Sequence, residues 1–242
     1  MATGGTNGTV RLWAFDNEEA KALTAFPGKS SVSAIAFRHD SEFLVAGGAG
    51  GDIRLWKLGS TPRLASLPQA GGPICSVAFV GDDNRLVIGI GSEDRQPGQV
   101  WYWKIEDREG ALNLHPIGTV NLDGSSAVSL MVFSSDGSTV VACDSENRLA
   151  AWRVGSELED DRSEAKFVGE FRGNASEITK LAVSADGTRA ASVSDDGQMY
   201  VWSIPDFLPI GKVSEILGVT IDQSEDCVTS NRTAEIQVRS LP

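Results

Sequence analysis

Histidine is almost missing from this sequence: His39 and His115 are the two copies in 242 residues. No pair of ligands has the spacing of a zinc site, and both histidines read as surface residues. Cysteine is scarce and odd in number. Cys75, Cys143 and Cys227 lie far apart, each in an apolar run. They read as core thiols in a reducing, cytoplasmic compartment, with one disulfide plus one free thiol as the alternative. Basic charge is short as well, with 21 Lys and Arg against 33 Asp and Glu, a net charge of -12, and no basic run. Phosphates require clustered cations, so no nucleic-acid partner is expected. No apolar run is long enough for a spanning helix, and the first residues lack a basic segment followed by an apolar core. Neither a membrane partner nor a secretory signal is therefore expected.

Catalytic constellations are missing too. No G-x-S-x-G elbow occurs, and the glycine-rich stretches "GGTNGTVRLW" and "GGAGGDIRLW" lead into strands without the Lys or the helix that a phosphate loop uses. Their glycines suit tight turns. Adjacent acids at Asp82-Asp83 and Asp160-Asp161 read as solvated surface. Asn-x-Ser/Thr triplets at Asn7, Asn174 and Asn231 read as structural or incidental. The chain is expected to be no enzyme and to need no cofactor or metal.

What is abundant is repetition. Trp13, Trp56, Trp103, Trp152 and Trp202 each close an alternating segment, "TVRLW", "DIRLW", "QVWYW", "RLAAW" and "QMYVW", spaced 43, 47, 49 and 50 residues apart. A sixth copy, "AEIQVRSL", carries Arg239 in the Trp position. Upstream of each full copy lies an apolar strand ("VSAIAF", "ICSVAF", "VSLMVF", "ITKLAV", "ILGVTI"), then a polar turn and another strand. A weaker strand precedes the set, as in "AKALTAF" or "AKFVGEF". Four short antiparallel strands per unit is the simplest reading. Alternation assigns Val10, Leu12, Ile53, Leu55, Val100 and Tyr102 to one neighbouring sheet and the Trp set to the opposite one.

Units of this kind resemble the WD-repeat β-propeller family, and "ITKLAVSADGTRAASVSDDGQMYVW", residues 178–202, is the best match. The resemblance covers essentially the whole chain. It implies an all-β WD-repeat β-propeller with about five and a half four-stranded blades visible, part of a six- or seven-bladed ring. A single domain, 1–242, would hold units at approximately 1–15 (partial), 16–58, 59–105, 106–154, 155–204 and 205–242. Shifted by 43 residues, Met1 falls on Leu44, inside the third strand of a unit. The domain is therefore expected to be N-terminally incomplete, its missing strands supplied by upstream sequence or another chain. The family also links its Trp through a hydroxyl to a His and a turn Asp. Here no Gly-His pair exists, and Ser194, Asp196 and Trp202 are the residues that could supply part of that relay.

The resemblance implies a non-catalytic scaffold or sensor module that binds a protein or peptide on the face bearing the turn before each Trp strand. Residues just before that turn include Ser145, Asp195 and Arg232. The third unit is longer than the others within "GSEDRQPGQ", on the same face, which makes Glu93, Asp94, Arg95 and Gln96 the leading contact candidates. A loop insertion without a role is the other reading. Two function alternatives stay open: a propeller-type lactonase or hydrolase using a channel metal, and a structural propeller completed by oligomerisation.

Overall fold

The computed structural model describes residues 1–16, 19–81, 84–92, 97–108, 111–122, 127–154, 165–171, 176–204 and 209–213. Every regular element among them is a strand. The first sheet has three, β1 (Ala2–Gly4), β2 (Val10–Asp16) and β3 (Glu19–Phe26), hydrogen-bonded in that order. The second runs β4 (Val32–Phe37), β5 (Phe43–Gly48), β6 (Ile53–Lys57) and β7 (Arg63–Ser66). The third comprises β8 (Ile74–Val80), β9 (Arg85–Ile90), β10 (Gly98–Arg108) and β11 (Ala111–Leu122). The fourth comprises β12 (Val128–Phe133), β13 (Thr139–Asp144), β14 (Leu149–Val154) and β15 (Ala165–Phe171). The fifth comprises β16 (Ile178–Val183), β17 (Arg189–Ser194), β18 (Met199–Ser203) and β19 (Pro209–Val213). The strands read at 216–242 lie outside the described residues.

These sheets are offset by one strand from the sequence units. The weak strand that opens each unit pairs instead with the preceding Trp strand, as Leu55 with Ala65 and Trp56 with Leu64 show. A hairpin returns the chain onto the strand it has just left, and the longer connection then crosses to the next sheet. In the first, third, fourth and fifth sheets a bulge beside the Trp marks this outer pairing.

Sheets stack face on face in chain order. Trp56 clusters with Val10 and Leu12 of the first sheet, Trp103 with Ile53 and Leu55 of the second, and Trp152 with Val100 and Tyr102 of the third. Trp202 packs on Val141 and Ala151 of the fourth. The two-sided alternation expected from the sequence therefore holds at each junction. Strands β5 and β13, second in their sheets, are buried along their whole length because a sheet covers each of their faces. The innermost strands β4, β8, β12 and β16 line a narrow channel of about 200 Å³.

Each innermost strand carries a bulge after its first residue, at Ser33, Cys75, Ser129 and Thr179. A bulge leaves backbone carbonyls without a ladder partner, and a short side chain with a donor can reach them. Ser33 Oγ donates to Gly47 O at 3.2 Å and to Ile74 O at 2.6 Å. Ser129 Oγ donates to Cys143 O at 3.4 Å, and Thr179 Oγ1 to Val193 O at 3.2 Å. Cys75 fills the same place with a thiol 3.6 Å from Val128 O.

Candidate partner-binding face

Two kinds of connection emerge on one side of the sheet stack, here called the upper face: the turn before each Trp strand and the link from an outer strand to the next innermost one. The turn has one geometry in four sheets. Gly8, Gly51, Asn147 and Gly197 adopt φ of 78°, 84°, 60° and 77°, and each donates its N–H to the residue three before it at 3.0 Å. Glycine tolerates that left-handed backbone best and asparagine next, which explains "NG", "GG", "EN" and "DG" at these places.

Ser145 and Asp195 lie at these turns and are exposed. Their backbone N–H groups donate to Ala127 O and Glu177 O, at 3.1 and 2.9 Å, which ties each turn to the entry of its innermost strand. Beside Ser145, the buried carboxylate of Asp144 accepts from the N–H groups of Glu146 and Arg148 and from Arg148 Nε at 2.8 Å. Those bonds from Asp144 hold the Arg148 guanidinium above its usual pKa. Glu93, Asp94, Arg95, Gln96 and Arg232 lie outside the described residues.

The expected Trp relay is divided rather than continuous. Trp202 Nε1 donates to Ser192 Oγ at 3.3 Å, whereas Ser194 Oγ bonds Asp196 Oδ1 at 2.7 Å and the Gln198 carbonyl at 3.2 Å. Register is the reason: β17 pairs Ala190 with Trp202 and Ser192 with Tyr200, so Ser192 sits one step from the indole while Ser194 reaches the turn. The same arrangement recurs in the first sheet, where Trp13 Nε1 donates to Thr3 Oγ1 at 2.9 Å. Trp56, Trp152 and Trp202 are buried and Trp103 nearly so, while Trp13 is half-buried on the outer face of the first sheet.

The upper face holds two contrasting junctions. Between the first and second sheets the space is filled by Arg54, whose Nη1 and Nη2 donate to Pro27 O and Gly8 O, both at 3.0 Å. Burial pushes its pKa down, and Asp52, 3.4 Å away at ion-pair distance without hydrogen-bond geometry, opposes that. Between the second and third sheets the residue at the Arg54 position is Trp101, which packs into the core, and a cleft of about 760 Å³ stays open. Its walls include Ala49, the second-sheet counterpart of Ser145 and Asp195. Sequence reading missed the rest of the wall. The connection "LPQAGGP", with adjacent glycines between two prolines, was the available cue.

Among the described residues no three His, Cys, Asp or Glu side chains group as metal ligands, and no helix is long and apolar enough to cross a membrane. The two described cysteines are unpaired. Burial raises the Cys75 thiol to about 11 and the Cys143 thiol to about 12, the latter helped by Asp144 and Glu177. At neutral pH both are therefore inert thiols rather than nucleophiles.

Comparison with known proteins supports the repeat reading. The family described as "WD domain, G-beta repeat" matches residues 20–57 and 165–203. The target of rapamycin complex subunit LST8 of Saccharomyces cerevisiae is 26% identical over 207 residues, covering 85% of this chain and 63% of that protein. The guanine nucleotide-binding protein subunit beta of the same organism is 24% identical over 207 residues, covering 84% of this chain and 42% of that protein. A chain in the crystal structure of the mitotic checkpoint complex superposes with a TM-score of 0.63 at 19% identity, over 84% of this chain and 59% of that one, and so shares the fold. The chain spans less than two thirds of the length of each of these proteins.

Proposed function

We propose that this chain, a WD-repeat β-propeller protein, works as a non-catalytic scaffold or sensor module that binds a protein or peptide on its upper face. One observation carries the reading. Sheets built to one plan deliver their described turns and connections to one side, and a cleft of about 760 Å³ opens there. Rigid sheets presenting variable loops are the arrangement by which a fold recognises partners without chemistry of its own. Two relatives named as subunits of larger assemblies support a protein partner, and the acidic balance of the chain favours protein over nucleic acid. The unpaired, protonated cysteines fit a cytoplasmic location.

The test is affinity capture with the wild-type chain, an upper-face variant (Ser145→Arg with Asp195→Lys) and an opposite-face variant (Asp107→Lys). Partners retained by wild type and by Asp107→Lys but lost by the upper-face variant support the reading. Partners indifferent to the upper-face change refute the face assignment. Turnover by the purified chain of a lactone or ester substrate panel would refute the non-catalytic role.

A further inference from the structure

We infer that residues 216–242 of this chain dock on the outer face of the first sheet, with Ile236 and Val238 seated on Trp13. Four junctions of the described structure obey one packing rule. The residues three and one before each Trp form an apolar pair on the opposite face of the strand, and the next Trp in chain order packs on that pair. Val10 and Leu12 take Trp56, and Ile53 and Leu55 take Trp103. Val100 and Tyr102 take Trp152, and Leu149 and Ala151 take Trp202. The rule leaves two ends over. Trp13 clusters with no such pair among the described residues, and "AEIQVRSL" holds the pair Ile236 and Val238 three and one before Arg239, the residue in the Trp position.

The first sheet offers an apolar face at that end. Met1 and Trp13 exchange backbone hydrogen bonds, Met1 N to Trp13 O at 3.0 Å and Trp13 N to Met1 O at 2.9 Å, so their side chains stand together. Their counterparts one sheet on, Leu44 and Trp56, are buried against the first sheet. Met1 is 57% exposed, Trp13 is half-buried, and Phe15, two residues along the same face, is 57% exposed. A neighbouring sheet removes such a face from water, as it does at the other four Trp residues.

Curvature brings the two ends of the stack toward one another. Packed sheets lie about 10 Å apart, so in a straight stack β4 and β16, three junctions apart, would be separated by roughly 30 Å. Residues of both strands, Ala34 and Leu181 among them, instead line one channel of about 200 Å³. The innermost strands therefore circle an axis, and the outer face of the first sheet turns toward the far side of the fifth. On that far side Val201 is half-buried, whereas its counterparts Leu12, Leu55, Tyr102 and Ala151 are buried. Residues 214–242 follow β19 directly and are long enough for the three strands "ILGVTI", "CVTSN" and "AEIQVRSL". Their tether to the fifth sheet gives them a high effective concentration at this face, which favours them over a second copy.

The experiment irradiates the full chain carrying Trp13→p-benzoylphenylalanine, mixed with heavy-isotope-labelled wild-type copies, and identifies the cross-linked tryptic peptides by mass spectrometry. Expected is a cross-link within one chain to the peptide 233–239, its yield falling at least fivefold in Ile236→Asp with Val238→Asp. Ile236→Ser alone serves if the double variant fails to fold. A cross-link to a labelled copy puts a second chain on the face and overturns the proposal. A cross-link to any other peptide of the same chain, no cross-link, or a yield indifferent to the variants overturns it as well.

Discussion

Replacing Arg54 by Met should destabilise the protein by about 3 kcal/mol, although Met keeps much of the apolar stem. Arg54 is 7% exposed and bridges two sheets through Pro27 O and Gly8 O. Hydrogen bonds from a charged donor contribute about 1.5–3 kcal/mol each. Gly8 is buried, so its carbonyl would stay unsatisfied, while exposed Pro27 can recruit water and recover part of its loss. Returning the guanidinium to water in the unfolded chain offsets some of the gain, and losing the Asp52 contact adds a little. For a chain of this size, about 3 kcal/mol corresponds to roughly 6–12 °C in melting temperature. The assay is urea and thermal unfolding of wild type, Arg54→Met and Arg11→Met. Arg11 occupies the same repeat position one sheet earlier but is exposed, so its loss should stay within about 0.5 kcal/mol. Equal effects at the two positions, or less than about 1 kcal/mol at Arg54, would refute the account of Arg54 as the bridge between the sheets.

Further tests address other parts of the fold. Gly72→Ala should cost about 1–3 kcal/mol, because the new Cβ meets the backbone carbonyl of Gly91, whereas Gly71→Ala should be neutral; equal melting temperatures would contradict this. Cys75→Ser should leave stability unchanged or raise it by about 1 kcal/mol, since a hydroxyl serves that bulge at 2.6 Å in Ser33 where the thiol stands 3.6 Å away; a clear loss in urea unfolding would show the thiol is needed for packing. Asp186 is held down to about 2 by the Ser184 hydroxyl and by the N–H and hydroxyl of Thr188. Its contribution is therefore present above its unfolded value near 4 and lost as pH falls toward 2; Asp186→Asn should flatten the stability curve there, and an unchanged acid limb would disprove the assignment. The raised thiols act at the other end. Unfolding exposes Cys75 to ionisation near its ordinary value of 9 while the folded thiol waits until about 11, so stability should fall across that window; a Cys75→Ser, Cys143→Ser chain should show a shallower fall between pH 9 and 10 in alkaline melts, the Tyr102 phenol, also raised by burial, acting above that.

The sequence alone determined the all-β class, the repeat and the side of each Trp, because strand alternation and turn chemistry are local. "TVRLW" and "DIRLW" carry their two faces in the order of their residues, and the turn glycines declare the left-handed backbone they occupy. It did not determine which sheet claims the weak outer strand: "AKALTAF" reads alike whether it precedes one sheet or completes another, and the returning hairpin decides. Nor could it separate Ser192 from Ser194 as the partner of Trp202, since both stand on one face and the β17–β18 register alone places the first beside the indole. Arg11 and Arg54 are the sharpest case. Their local sequences are nearly the same, yet Arg11 is exposed while Arg54 is buried against Pro27 O and Gly8 O of the neighbouring sheet. The cleft follows the same rule. Trp101 takes the Arg54 position and packs into the core while the connection 67–73 lines the opening, segments distant in sequence that packing alone brings together.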